Sequence, residues 1–326
     1  MNSWPILPSD LLAARSRLGT FLQTTPARNY NVLDVCVGHS IEVWVKHENH
    51  QPTGSFKVRN GLSAATALSD QQRRCGLIAA SRGNHGLGVA YAGRLLGVET
   101  TICVPKGNSQ SKNLAMRSHG ATLIEEGQDY DESLAIALER AEQRGLTMVH
   151  STNSSAVIAG AGTITMEFLE QVPTLDVLVV AVGGGSQAVG AITAVRQKNT
   201  DVEVWGVQAA AASAIHDGYH AGEKRSTESA NTFADGLATR HCYDATFSAL
   251  CEGLSGFVTA TEDELSSAIR DLITSGCGLA EGAGAAGLAG LKKLAPRLAG
   301  KRVGIIMSGG NIDVEVLRSV LDGSYS

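Results

Sequence analysis

Lys57 stands in the run Gln51-Pro52-Thr53-Gly54-Ser55-Phe56-Lys57, where Pro52 and Gly54 make a turn and Phe56 and Lys57 open a helical pattern. A lysine placed there can form a Schiff base with an aldehyde, and burial would lower its pKa far enough for it to act as a base. Phe56 could cover a flat ring. By itself the lysine reads better as a solvated residue at a helix start, as most lysines are. Gly183-Gly184-Gly185-Ser186-Gln187 follows an apolar stretch and opens another helical pattern. Consecutive glycines let backbone N–H groups close around an anion, and a helix N-terminus adds a favourable field. The loop is neither Gly-x-x-x-x-Gly-Lys-Ser/Thr nor Gly-x-Gly-x-x-Gly. That disfavours nucleoside triphosphates and dinucleotides and leaves a small phosphorylated cofactor, or a plain turn.

Ser81-Arg82-Gly83-Asn84-His85-Gly86 offers backbone donors at a third helix start, which suits a carboxylate. Asn84 could donate to a phenolate oxygen or only cap its helix; His85 could be a packed, hydrogen-bonded imidazole. Ser308-Gly309-Gly310-Asn311 ends an apolar stretch. A hydroxyl there could meet a ring nitrogen, or the segment could be a turn.

These loops need a frame that gathers them. Short apolar runs at 41–46, 76–80, 100–104, 121–124, 147–150, 176–182, 203–208 and 303–307 read as strands. Helical patterns lie between them at 56–68, 84–96, 109–119, 131–144, 156–169, 187–196, 262–275 and 283–298. Strands separated by helices of this length argue for parallel sheets with right-handed crossovers, with ligands at the carboxyl ends of the strands. The glycine loops fall at those ends. The polar stretch 209–240 is hard to assign and reads as containing loops on the same side.

The 326 residues suit two α/β domains, and 43% hydrophobic, 18% charged and 37 glycines describe a folded chain with many tight loops. A net charge of −5 without a basic run gives no case for nucleic acid. Six scattered cysteines have no zinc spacing and read as free thiols in a reducing cytoplasm. Residues 1–8 lack the pattern of a signal peptide, and no apolar run approaches a membrane span.

In this order the four loops resemble the threonine/serine dehydratase family of fold-type II pyridoxal-phosphate (PLP) enzymes, which includes serine racemases and 3-hydroxyaspartate ammonia-lyases. The resemblance runs over about residues 20–320 and takes in Thr24-Thr25-Pro26, Ala159-Gly160-Ala161-Gly162-Thr163, Ala234-Asp235-Gly236 and Glu281-Gly282-Ala283-Gly284-Ala285. It implies an α/β fold of the tryptophan synthase β type, with two parallel-sheet domains and the cofactor between them. Residues 1–50 and 150–326 would form the large PLP-binding domain and 51–149 a small, mobile substrate-side domain. It implies that Lys57 carries the cofactor and that Phe56 packs on its ring. Asn84 would meet the 3′ oxygen, Gly183, Gly184, Gly185, Ser186 and Gln187 the phosphate, and Ser308 the pyridine nitrogen. Ser81, Arg82, Gly83, Asn84 and His85 would bind the substrate carboxylate. A serine opposite that nitrogen can leave it neutral, and the weaker electron sink suits β-elimination. The expected reaction is loss of water and ammonia from an L-β-hydroxy amino acid to give a 2-keto acid, in a cytoplasmic homodimer.

The sequence also departs from the family pattern. Arg82 stands where dehydratases commonly have alanine and racemases a serine acid; arginine stays protonated, so racemisation is disfavoured. It could pair with a substrate carboxylate, as 3-hydroxyaspartate would offer, or point to solvent. His150-Ser151-Thr152-Asn153 replaces the usual His-Pro-Phe-Asp, which opens room for a bulky β-substituent such as that of phenylserine. Gln208 and Ala214 replace acidic residues of a divalent-cation site, so no metal is expected. The chain ends soon after Ser308, without the regulatory domain of biosynthetic threonine dehydratases, which points to a catabolic role. Two rivals stand beside this reading: a β-replacement synthase of the same fold, and a non-catalytic phosphate-ligand binding protein.

Overall fold

The strands form where β-branched and apolar residues run unbroken between polar or glycine-bearing turns. The computed structural model describes residues 4–324, so the first three residues of the segment 1–8 lie outside the described residues. In chain order the strands are β1 (Ala27–Asn29), β2 (Glu42–His47), β3 (Leu77–Ala80), β4 (Thr100–Val104), β5 (Thr122–Glu125), β6 (Thr147–Met148), β7 (Val177–Ala181), β8 (Glu203–Ala209), β9 (Gly256–Ala260) and β10 (Arg302–Met307). They make two sheets, ordered β1-β2-β10-β7-β8-β9 and β5-β4-β3-β6. Every pairing is parallel except the short edge pair β1–β2. All five residues of β7 are buried, as a strand covered on both faces requires. Among the described residues no helix is long and apolar enough to cross a membrane.

The expected elements are present with ends shifted by a residue or two, except that the helix expected at 283–298 spans Gly282–Leu294 and stops four residues early; Thr100–Val104 and Asn84–Leu96 occur with the expected bounds. The short strands β1 and β9 were not expected. The stretch 209–240 is not all loop: it holds the helix Ala214–Ala221. Its tail Asp235–Leu237 forms a single 3-10 turn.

The helices that open at the glycine loops pack backbone against backbone. Helix Lys57–Ala67 meets helix Asn84–Leu96 at Gly61 and Gly88. A Cβ on Gly61 would come 2.4 Å from the Gly88 oxygen, and one on Gly88 would come 2.3 Å from the Lys57 oxygen. Only glycine permits that approach.

A buried ionic network sits beneath the start of the lysine helix. Arg59 donates from Nε and Nη2 to the two Glu48 oxygens, both at 2.8 Å, and from Nη1 and Nη2 to the Glu167 oxygens at 2.7 and 2.8 Å. Lys46 donates to Glu167 at 2.9 Å and to the Thr25 carbonyl at 2.7 Å. Burial opposes the charge on Glu48, and the adjoining guanidinium more than offsets it, leaving the carboxyl below its ordinary pKa. The network joins β2, the lysine helix and helix Ser155–Gln171.

Candidate active site

Lys57 is the first residue of its helix, so its side chain leaves the end of the turn rather than a helix face. The turn is fastened to the loop after β10. Phe56 N–H donates to the Ser308 carbonyl at 2.9 Å, Gly310 N–H donates to the Gly54 carbonyl at 2.9 Å, and Ser55 bridges to Gly309. Two segments some 250 residues apart in sequence thereby present Lys57 and Ser308 to one cavity. That cavity is also lined by Phe56, by residues 81–85 and by residues 183–187. All the residues expected to bind cofactor or carboxylate thus line one space.

Burial lowers the Lys57 pKa to about 8, against an upward pull from the Glu281 carboxylate. An amine in that range is partly neutral near physiological pH and can accept a proton. Its Nζ lies 5.0 Å from the Phe56 ring centroid. His85 gives Nε2 to the Val149 carbonyl at 2.9 Å, while its Nδ1 is buried without a partner. Burial, with Lys57 nearby, lowers its pKa to about 3, so the imidazole is neutral.

Asn84 does not cap its helix: Gly83 occupies the N-cap, and the Asn84 amide turns aside. Its Nδ2 donates to Glu281 Oε1 at 2.6 Å, and its Oδ1 accepts from Asn311 Nδ2 at 2.7 Å. The amide is therefore oriented from both ends, with one N–H left for a ligand. Burial raises the Glu281 pKa to about 7, with Lys112 pulling it back down.

Gly185 adopts φ +96°, and the helix Ser186–Lys198 begins at the next residue. Its first N–H groups have no intrahelical acceptor. The buried Gln187 Nε2 also lacks a partner. Thr246 fixes the loop from below, donating to the Gly184 carbonyl at 2.7 Å. Unpaired donors beside a lysine call for an anionic, acceptor-rich ligand, and PLP is one.

Other residues reach the cavity that motif reading gave no role. Asp235 pairs with Arg82 at 3.3 Å and bonds Lys112, which lies 3.7 Å from Asp313. Arg82 is thus held by an acid at the cavity lip, its side chain about half exposed (47%). Glu281, Tyr130 and Tyr243 also line the cavity, as does Ser151 of the segment 150–153 already read as opening room. Asp235 and Glu281 lie in segments that carried the family resemblance. Gln208, away from this lining, receives the His216 N–H at 3.0 Å and donates to Thr239 at 3.2 Å.

The pyridoxal-phosphate dependent enzyme family matches residues 20–309. The chain is 37% identical over 314 residues to an L-threonine ammonia-lyase of Thermotoga maritima, covering 96% of this chain and 77% of that one. It is 35% identical over 314 residues to an L-threo-3-hydroxyaspartate ammonia-lyase of a Pseudomonas species, covering 96% and 98%. The solved structure of maize serine racemase superposes with a TM-score of 0.92 at 26% identity, covering 98% of each chain.

Proposed function

The chain belongs to the pyridoxal-phosphate dependent enzymes, in the threonine/serine dehydratase group, and on that footing we propose that it is a lyase that removes water and ammonia from an L-β-hydroxy amino acid, leaving a 2-keto acid. The observation that carries this reading is the meeting of a lysine of lowered pKa with the 81–85 loop, the 183–187 loop and Ser308 in one cavity.

PLP, when bound, supplies an electron sink that loosens the α-proton of an attached amino acid. In this reading the N–H groups of 183–187 and Gln187 hold its phosphate, Ser308 offers a hydroxyl to the ring nitrogen, and Phe56 packs on the ring. Asn84, held by Glu281 and Asn311, keeps an N–H for the 3′ oxygen. The N–H groups at the start of helix Asn84–Leu96, with Ser81, receive the substrate carboxylate. Neutral Lys57 takes the α-proton. Arg82 stays protonated and gives no proton to carbon, which favours elimination over racemisation. Residues 51–149 act as the substrate-side unit against 1–50 and 150–326. Two copies associate as a homodimer in the cytoplasm; the six unpaired cysteines fit a reducing compartment.

Formation of a 2-keto acid and ammonia from a panel of β-hydroxy amino acids tests the reaction. Keto acid from at least one of threonine, serine, phenylserine and 3-hydroxyaspartate is expected; none from any would overturn it. A second measurement reads Lys57 directly. Capture of PLP by apoprotein needs the neutral amine, whose fraction grows as pH rises toward about 8. The rate of capture should climb about tenfold per pH unit below that value and level off above it. A flat profile from pH 6 to 9 would contradict a lysine of lowered pKa.

A further inference from the structure

The cavity has two unlike walls. One carries the acidic and basic side chains Arg82, Lys112, Asp235 and Glu281. Its two cations are already matched by acids of the chain, Arg82 by Asp235 and Lys112 by Asp235 and Asp313. A second carboxylate on a substrate would have to displace Asp235 from both. The other wall is formed by Tyr130, Ser151, Thr152, Ala238, Thr239 and Tyr243, with no ionised side chain.

The two tyrosines come from opposite bodies. Tyr130 opens the helix Tyr130–Arg144 and packs with Ile78 and Ala80 of the four-stranded sheet's core. Tyr243 packs against the core of the six-stranded sheet. Arg240 fixes one to the other: its Nε donates to Asp131 at 2.7 Å and its Nη2 lies 2.9 Å from Asp129, so both neighbours of Tyr130 are anchored to the loop that carries Tyr243. His150 meets the Tyr243 ring edge-to-face at 5.9 Å and holds its plane. The Tyr130 hydroxyl is satisfied by Ser151 Oγ at 2.9 Å, which leaves the ring for apolar contact. Ser151 and Thr152 are short, and Thr152 folds against Gly184, where a Cβ would come 2.1 Å from its Oγ1.

We infer that this wall is the subsite for an aryl group on the substrate's β-carbon, and that the substrates are β-aryl-β-hydroxy amino acids, phenylserine being the simplest. The inference rests on the lyase reading above and adds the side-chain class. An aryl group against a tyrosine ring of the lining makes edge and face contacts that the methyl of threonine cannot. The reaction balances: the Cα–H and Cβ–O bonds break with loss of one water, one water is taken up as the C–N bond is hydrolysed, and phenylserine gives phenylpyruvate and ammonia.

The test uses the holoenzyme. kcat/KM for phenylserine should exceed that for threonine tenfold or more, and Tyr243→Ala and Tyr130→Leu should each lower the phenylserine-to-serine ratio about tenfold. Binding is measured separately by calorimetry with L-phenylalanine, which has the aryl group but no β-hydroxyl to lose. It should bind at least tenfold more tightly than L-alanine, and Tyr243→Ala should erase the difference. Keto acid from threonine or serine, with phenylserine no better and phenylalanine no tighter, sinks the aryl subsite and leaves the lyase reading standing. Preference for 3-hydroxyaspartate also sinks it and assigns the second carboxylate to Arg82. No keto acid from any substrate overturns both readings.

Discussion

Replacing Lys57 with alanine is expected to lower kcat by at least about 10⁴-fold, because in the proposed function the general base and the covalent attachment point are lost together. The same variant should lack the yellow absorbance of a lysine-bound cofactor while its circular dichroism stays that of the parent. Lys57 heads its helix and faces the cavity, so truncating it leaves the hydrogen bonds of Phe56 to Ser308 and of Gly310 to Gly54 intact. Methylamine should restore part of the activity by returning an amine to the vacated space. Turnover within tenfold of the parent would remove Lys57 from its role. Lys112→Ala is the comparison: it removes the other cavity lysine but leaves Lys57 in place, so the yellow absorbance should persist.

The second large effect is on stability. Arg59→Ala leaves the Glu48 and Glu167 carboxylates buried without their shared cation. Breaking a buried pair from one side costs about 3–5 kcal/mol, a large share of what holds a domain folded. Urea unfolding followed by circular dichroism should show that loss as a fall in midpoint at unchanged slope. Arg59→Lys should recover only part of it, since an ammonium cannot make the four forked contacts that Arg59 makes. A midpoint unchanged in Arg59→Ala would show that the network carries little. Arg59 lies two residues from Lys57, so a partly folded variant should also bind cofactor poorly.

What could be read from the sequence were features whose physics is local. A glycine run after a buried strand announces its loop because backbone donors and positive φ restrict residue type, as at Gly185. Thr100–Val104 is legible because β-branched and apolar residues sit between polar turns. β1 has three residues, Ala-Arg-Asn, at an antiparallel edge, too short for any period to show. β9 starts on a glycine and alternates half-buried and buried residues irregularly, so no strand period shows. In the site, Lys57, Asn84 and Ser308 were legible from their motifs. The hold of Glu281 on Asn84 spans 197 residues and that of Lys112 on Asp235 spans 123, and no local pattern encodes either. Tyr130 and Tyr243 stand in no motif of the sequence. Their meaning comes from Arg240, which brings their segments together.

The contact of Gly61 with Gly88 bears on how this catalyst can diversify. The helix that begins at Lys57 and the helix that begins at Asn84 touch through main chain, with no layer of side chains between them to enlarge or trim. The spacing between Lys57 and the 81–85 loop is therefore inherited as one block. A library of random variants should show both glycines as nearly immutable, whatever substrate is selected for. New selectivity must then arise at 130, 151, 238, 239 and 243, whose residues line the cavity.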